Sequence, residues 1–581
     1  MGEKMIYARE LLKHTFVGVL TTCLILDYCL SPAQDLCDER SYEPVVVQGD
    51  LLSHFFGIPV NEIVMYSYDG DTQSWRMIPF QIDEKTFGTD PYNPPRNRWF
   101  YFIPEEWDID SHDNDLSDHD ELVFMVRDLG DRAPENAWID NDEAKSHARM
   151  ELVASDPDDP DKKAYGYLYH SSTIQEEVPT PYGFDYVAEE DRIGTTYYTV
   201  SLSTHGMVQD IVIKEPWGNG QDIFDTLKLR FGGIIDIAIS PIEIIMTEEN
   251  LYRYDDIKVS QKPIVRFIRQ ARQTLQIGPF ISHDTPFYLT IKFYPFSAKI
   301  ETGASISTKD LSEMYLGAEI SILLYSMRQS WDFNANAEGM KFSNKYNDDI
   351  LIDGRPDSIN RIIDIPINEW SFVSGAPGSV LTFLELQEAN WNNIELYYHD
   401  NQKGGQADSP YHGTIDTGDK TSYGDNGILF LSDGRDSLNL DSDLTMFLIP
   451  ETNLQKSDGE ELAHHIIHPV QLTSTLKSDV KNEIHTHIPN NVILLQNHPN
   501  PFNNTTVIPF DLPTAEMIRL CIFDINGRNI RTLVEGLLEA GSHKRHWHGR
   551  DDQGKRVASG IYFYDLSSKN YSQTKKLILV Q

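Results

Sequence analysis

Cysteine is nearly missing from this sequence. There are four in 581 residues. Two of them, Cys23 and Cys29, sit in an N-terminal apolar run, which leaves only Cys37 and Cys521. That is too few for a disulfide framework or a cysteine-based zinc site. Basic residues are also short, with 49 Lys+Arg against 89 Asp+Glu and a net charge of −40. Nucleic-acid affinity rests on cations that neutralise phosphates, so nucleic acid is excluded as a partner. The same charge would be repelled by an anionic membrane surface. The chain also lacks the Gly-x-Ser-x-Gly elbow, His-Glu-x-x-His, the P-loop and the dinucleotide glycine fingerprint. Those absences remove several enzyme classes. They do not remove carbohydrate enzymes, whose catalytic groups converge only in three dimensions. No internal repeat of solenoid or propeller length is evident.

Hydrophobic runs long enough to cross a bilayer are missing as well. The nearest is Phe16–Leu26, which is broken by Asp27 and too short for a span. It follows a mildly basic stretch with Lys4, Arg9 and Lys13, and it precedes Ser31-Pro32-Ala33. That order predicts a secretory signal peptide over 1–33, cut after Ala33, and no stable transmembrane segment in the mature chain.

Strands dominate what remains. Tyr197–Leu202, Thr226–Phe231, Phe287–Tyr294, Ile320–Tyr325, Val380–Leu386 and Thr445–Ile449 are short and rich in β-branched and aromatic residues. Gly, Pro, Asn and Asp punctuate them. The predicted fold class is mainly β: several antiparallel β-sandwiches ending in an immunoglobulin-like sandwich. A Pro/Asp run at 156–163 and a polar stretch at 451–489 read as seams. The expected domains are therefore an N-terminal β module with an acidic loop at 40–155, a large sandwich-type region at 164–450, a linker at 451–489 and a C-terminal domain at 490–581.

Acidity is concentrated in the middle of the chain. Residues 34–489 hold 35 basic and 78 acidic side chains, net −43, whereas 490–581 carry net +3. The densest cluster is Trp107–Glu121. Asp108, Asp110, Asp113, Asp115, Asp118 and Asp120 there make a candidate calcium loop, because calcium takes six to eight oxygen ligands. The EF-hand register is absent, and a solvated acidic loop or a catalytic carboxylate are the competing readings. No organic cofactor is expected. Two Asp-Gly-Arg sequences, at 353–355 and 433–435, read as turns. Tyr397–Asp400 with His412, Asp416 and Asp419 makes a Tyr/His/Asp-rich set suited to a sugar. His464, His465, His468, His485 and His487 read as a solvated tract.

The last ninety residues carry the most specific pattern. It runs Pro499-Asn500-Pro501-Phe502-Asn503, then a strand, then Asp524–Arg528. Trp547–Gly554 and Ala558-Ser559-Gly560-Ile561-Tyr562-Phe563-Tyr564 follow, and Lys575-Lys576-Leu577 comes near the end. This resembles the type A C-terminal sorting domain of type IX secretion cargo, a domain similar to the immunoglobulin-like domain of the flagellar-hook capping protein. The resemblance implies export through the outer membrane of a Gram-negative bacterium. It also implies partnership of 490–581 with the type IX machinery, and a secreted or cell-surface destination. Trp547 is expected in the sandwich core, and Gly560 at a close chain approach beside Tyr562 and Tyr564. A second resemblance covers about 45–135. Ile78–Glu84, Asp118–Met125 and Asp128–Arg132 are similar to an N-terminal module of secreted bacterial proteins, some of them associated with polysaccharide degradation.

Three readings of the central region follow. The first is binding of glycan or another extracellular ligand, the second a polysaccharide lyase or glycoside hydrolase, and the third a structural or adhesive surface protein. A cleft with convergent carboxylates or a Tyr–His–Arg group would favour the enzyme.

Overall fold

The structure is a computed structural model. It describes residues 32–89, 97–101, 115–117, 119–236, 242–248, 252–277, 281–307, 321–364, 367–386, 393–401, 422–435 and 437–478. In the C-terminal region it describes 492–494, 497, 500, 502, 506–514, 516–525, 527–538, 541–547, 549–550, 557–568 and 571–579. The chain divides into two compact units, Met1–Asp479 and Val480–Gln581. Both are built from antiparallel sheets, as the alternating sequence pattern predicts.

The first unit begins with a small sandwich. One of its sheets orders Pro44–Gln48, Glu121–Met125 and Gln81–Asp83. The other orders Gln471–Lys477, Arg149–Ser155, Lys163–His170, Ile63–Asp69 and Ser74–Met77. Val45, Val47, Leu122 and Phe124 of the first meet Met65, Met150, Leu152 and Leu168 of the second. Each large apolar side chain buried this way contributes on the order of 2 kcal/mol. The helix Pro32–Glu39 adds Ala33, Leu36 and Cys37 to the same core. The predicted cut after Ala33 therefore falls in the first turn of this helix. The rest of the signal peptide, 1–31, lies outside the described residues. Cys37 and Cys521 are both unpaired and buried. Burial, reinforced by Asp38 and Asp128, pushes the Cys37 thiol up to about 12.

A larger sandwich follows. Its nine-stranded sheet includes Phe267–Ile277, Ile281–Phe293, Ser297–Ser307, Ser437–Ile449 and Gly378–Leu386. It faces a five-stranded sheet of Ile242–Met246, Phe224–Asp236, Ser321–Phe333, Ser422–Arg435 and Asn393–Asn401. Leu227, Leu229, Phe231, Met327, Trp331, Ile428 and Phe430 pack from the five-stranded side onto Ile291, Phe293, Ile300, Leu444, Met446 and Leu448. Several strands run to 13 residues, longer than the segments expected from sequence.

Both expected seams are folded over their described residues, and 479–489 of the second lie outside them. The Pro/Asp run at 156–163 is the turn of a hairpin that joins Arg149–Ser155 to Lys163–His170. Asp156 caps that turn by accepting from the Asp158 amide, and the Asp156 amide donates to the Lys162 carbonyl. Pro and Asp are turn formers as well as linker formers, and composition alone favoured the wrong one. The stretch 451–489 is not a linker over its first part. It forms the helix Lys456–Ile467, opened by a Gln455/Asp458 capping box, and then the strand Gln471–Lys477. Leu462, Ala463 and Ile466 lie on one helix face and pack on Trp370, Phe372, Phe383 and Phe447, on the outer side of the nine-stranded sheet. The strand is an edge strand with little burial, held by its ladder to Arg149–Ser155. Its polar composition is what an exposed edge needs.

The second unit is an immunoglobulin-like sandwich of a three-stranded and a four-stranded sheet. Phe510, Leu512, Leu520, Ile522, Tyr564 and Leu577 fill its interior. Trp547 is buried there, as expected, against Phe502 and Tyr562. Gly560 departs from expectation, because an added Cβ would meet nothing within 4 Å. Close approach is not what that glycine provides.

Candidate functional site

Only part of the predicted calcium loop is described. Asp108, Asp110, Asp113 and Asp118 lie outside the described residues. Asp115 makes an isolated bridge to Pro59. Asp120 is buried, and its carboxylate accepts from the amides of Lys85 and Ser117 and from the Ser117 hydroxyl at 2.7–3.0 Å. Those bonds make Asp120 a loop clamp, not an open ligand. Among the described residues no group of three or more His, Cys, Asp or Glu is placed to hold a metal.

The other polar motifs are resolved in part. The Asp353-Gly354-Arg355 sequence is a turn, as expected. Asp400 holds it by accepting from the amides of Asp353 and Gly354 at 2.8 and 3.1 Å. Burial outweighs those bonds and raises the Asp400 carboxyl to about 6. His412, Asp416 and Asp419 lie outside the described residues, as do His485 and His487. His464 and His465 lie on the helix Lys456–Ile467. His464 bonds Asp158 at 2.6 Å, and burial with the nearby Arg40 charge lowers His465 to about 4.

Two constellations are not apparent from the sequence, although Tyr397 and His399 of the second belong to the Tyr/His/Asp-rich set noted there. The first joins the small sandwich to the large one. Arg266, wholly buried, donates to Asp83 through Nε at 2.9 Å and to Glu121 through Nη2 at 2.8 Å. Glu121 also accepts from Lys85 Nζ at 2.7 Å and from the Tyr101 hydroxyl at 3.0 Å. Burial alone would raise the Glu121 carboxyl, but Arg266, Lys85 and Lys292 outweigh it and hold it at about 2. The neighbouring Gln81 side chain accepts from the amides of Ile264, Val265 and Arg266. Gln81, Asp83 and Glu121 all lie in the segments Ile78–Glu84 and Asp118–Met125 singled out from the sequence. Their role here is to seat one arginine of the next sandwich.

Arg266 and Glu121 of this cluster line a cavity of about 410 Å³. Lys292, Lys299 and Glu301 line one side, and Arg40, Tyr42 and Glu43 another. Leu462, His465 and Ile466 of the helix Lys456–Ile467 close a third. Lys292 pairs with Glu301 at 2.8 Å, and Lys299 with Asp443 at 2.8 Å. Arg40 pairs with Glu43 and Asp156, each at 2.9 Å.

The second constellation is the face of the five-stranded sheet turned away from the apolar core. Strand alternation puts Lys228, Arg230, Arg328, Ser330, Asp332, Tyr397, His399 and Asp425 on that face. Lys228 pairs with Asp332, and Arg230 with Glu248. The Arg328 guanidinium lies 4.2 Å from the Tyr397 ring centre. Gly427 occupies the middle of the face, where a Cβ would come within 2.1 Å of the Gln329 carbonyl. Arg328, Tyr397 and His399 share one sheet face. Arg328, Tyr397 and His399 are 0%, 2% and 7% exposed, so substrate does not reach them in this form.

In the second unit the motif residues act on the fold. Phe502 pairs with the last strand through its amide, 2.9 Å from the Ile578 carbonyl. The Asn500 side chain accepts from the Ile578 amide at 2.8 Å and donates to the Lys576 carbonyl at 3.2 Å. The Trp547 indole donates to the Arg550 carbonyl. Gly527 has φ +77° in the turn closed by Asp524, a conformation that favours glycine.

Comparison with known proteins agrees with this geometry at the C-terminus. Residues 503–572 match the FlgD Ig-like domain family. No curated protein sequence matches the chain. Among solved structures, one similarity is to PorZ of Porphyromonas gingivalis, described as an essential bacterial surface component of the type-IX secretion system. Identity is 11%, with 71% of this chain and 62% of PorZ covered, at a TM-score of 0.13. Another is to dimeric latent PorU of the same organism, at 11% identity over 71% of this chain and 35% of that one, with a TM-score of 0.14. The chain thus spans less than two thirds of either protein's length. A third is to the C. elegans fusion protein EFF-1, at 7% identity and a TM-score of 0.12. Scores this low carry no argument about architecture or activity. Among the described residues no helix is long and apolar enough to cross a membrane.

Proposed function

We propose that this is a secreted or cell-surface protein of the type IX route. Its second unit is the export address, and its first unit is the ligand-binding payload. The observation that carries the reading is the match of residues 503–572 to the FlgD Ig-like domain. It falls within a self-contained unit that carries the sorting-domain motifs in order, with net +3 behind a body of net −43. In the body, the charged cavity beneath the helix Lys456–Ile467 is the ligand site, and extracellular glycan is the ligand class. Calcium belongs to the proposal only through Asp108, Asp110, Asp113, Asp115 and Asp118, since Asp120 is engaged. The test is to compare the full chain with one lacking 490–581 in a type IX-competent host. The truncated chain is expected to stay folded in the periplasm; normal amounts at the surface would refute the export role.

A second reading, a polysaccharide lyase, rests on one observation, that Arg328, Tyr397 and His399 share a sheet face with Lys228, and it requires a form in which that buried face opens to substrate. A rise in absorbance from unsaturated products of a uronic polysaccharide, lost in Tyr397→Phe, would establish it.

A further inference from the structure

The cavity has an unusual charge balance. Each of its four cations, Arg40, Arg266, Lys292 and Lys299, already has a carboxylate oxygen within 3 Å. An anionic ligand would have to displace one of those carboxylates. A cationic ligand would have to displace an ammonium or guanidinium group. Either exchange leaves a charge poorly paired in a half-buried site, which is costly. The paired groups still have unused hydrogen-bonding capacity. An ammonium has three donors and a carboxylate about four acceptor positions, and each pair uses only some of them. Hydroxyl groups can take both kinds without disturbing any pair. The remaining wall is apolar: Phe447, Leu462 and Ile466 give the cavity flat or aliphatic surface between its charges. Its volume is in the range of ligand pockets. The field of the body, net −43, also lowers the local concentration of polyanions.

We propose that this cavity binds an uncharged polyhydroxylated ligand, a neutral sugar unit of an extracellular glycan, and selects against uronic or sulfated chains. This rests on the reading of the first unit as the ligand-binding payload. Lys299 and Gln48 both line the cavity and are the proposed ligand contacts. Lys299 is partly exposed, and Gln48 is exposed with its amide 3.3 Å from Glu121.

The test is isothermal titration calorimetry on the purified full chain. The probes are neutral manno-, gluco-, galacto- and xylo-oligosaccharides, oligogalacturonate as the anionic probe and glycine betaine as the zwitterionic one. At least one neutral oligosaccharide is expected to bind, with oligogalacturonate at least tenfold weaker. Lys299→Ala and Gln48→Ala are each expected to weaken neutral-sugar binding at least tenfold while the melting temperature stays within a degree or two. A neutral sugar that binds equally well to both variants would overturn the site and leave the payload reading standing. Oligogalacturonate or betaine binding that is sensitive to these substitutions would overturn the ligand class. No binding by any probe would overturn this inference together with the payload reading, whereas export is measured separately and is untouched.

Discussion

The two units solve the problem of an interior differently. The body buries charge: Arg40, Arg149, Arg266, Arg269, Lys228 and Arg328 are each at most 1% exposed. The C-terminal unit buries rings and aliphatic chains. Among its described residues the buried polar side chains are Asn497 and Thr506, both neutral and bonded to each other. Buried ion pairs are weak sources of net stability, because desolvation cancels most of the attraction. Removing one partner is expensive all the same. The body has therefore placed its structural risk in buried charge, with Arg40 and Arg266 at its candidate binding site, and the C-terminal unit has placed its risk in packing. Mutations that separate these two kinds of risk test the comparison.

The largest effect is expected at Trp547. Trp547→Ala removes a wholly buried side chain that touches Phe502 and Tyr562. It should cost about 3–5 kcal/mol, a large share of the stability of so small a unit. Denaturant unfolding of the full chain should show the C-terminal transition lost or shifted and the body's transition unchanged. A shift in both would break the claim that the two units are separate.

Arg266→Met comes next. The variant leaves the buried Glu121 and the half-buried Asp83 without their guanidinium. The expected loss is about 3 kcal/mol, the low end for a broken buried pair, because Lys85 and Tyr101 still serve Glu121 and Gln81 still serves Asp83. Adding Asp83→Asn and Glu121→Gln should recover part of the loss. A single-mutant cost under about 1 kcal/mol would show that the cluster is not held as tightly as a buried pair should be.

These two residues also show what was legible in the sequence. Trp547, Phe502, Asn500 and Gly527 act through neighbours in the same small unit, in a fixed order along the chain. A linear pattern could carry them. Arg266 meets Glu121 across 145 positions and Asp83 across 183. Nothing local marks it, since Ile264-Val265-Arg266-Phe267 reads as a strand with one outward charge. Arg328 and Asp332 were hidden the same way. They alternate with Met327 and Trp331, the pattern of a solvent-facing strand, yet both are buried. The β class and the C-terminal fold were readable because periodicity and turn chemistry are local. The cavity was not readable, because its walls come from both sandwiches and from a helix taken for a linker.

A pH series gives the third and smaller contrast. Burial raises the carboxyl of Asp128 to about 6, against the pull of Tyr182, Arg127 and Arg76. The folded body thus holds that proton more tightly than the unfolded chain. The stabilisation is whole below pH ~4 and is lost as pH rises through about 6. The shift corresponds to at most roughly 3 kcal/mol over the whole window. Glu369 and Asp400 act in the same direction. His465, lowered to about 4, opposes them between there and its ordinary range. Asp128→Asn should flatten the body's melting temperature between pH 5 and 7.5 relative to the parent chain. An unchanged slope would remove Asp128 from the account.

The smallest effect is expected at Asn500. It lies between two prolines that offer no amide to the final strand. Its side-chain amide does the work of a peptide group, accepting from the Ile578 amide and donating to the Lys576 carbonyl. This explains why an asparagine belongs between those prolines: a side chain with both a donor and an acceptor replaces the missing ladder. Asn500→Ala should cost about 1–2 kcal/mol, two partly exposed hydrogen bonds at roughly 0.5–1 kcal/mol each, the lower part of the usual range. Asn500→Asp keeps the acceptor and loses the donor, so it should retain about half of that. The body's transition should not move in either variant. Equal losses for Ala and Asp would mean that donation to Lys576 matters more than acceptance from Ile578. No loss in either would mean that Phe502, through its amide bond to Ile578 and its packing on Trp547, holds the final strand without help from Asn500.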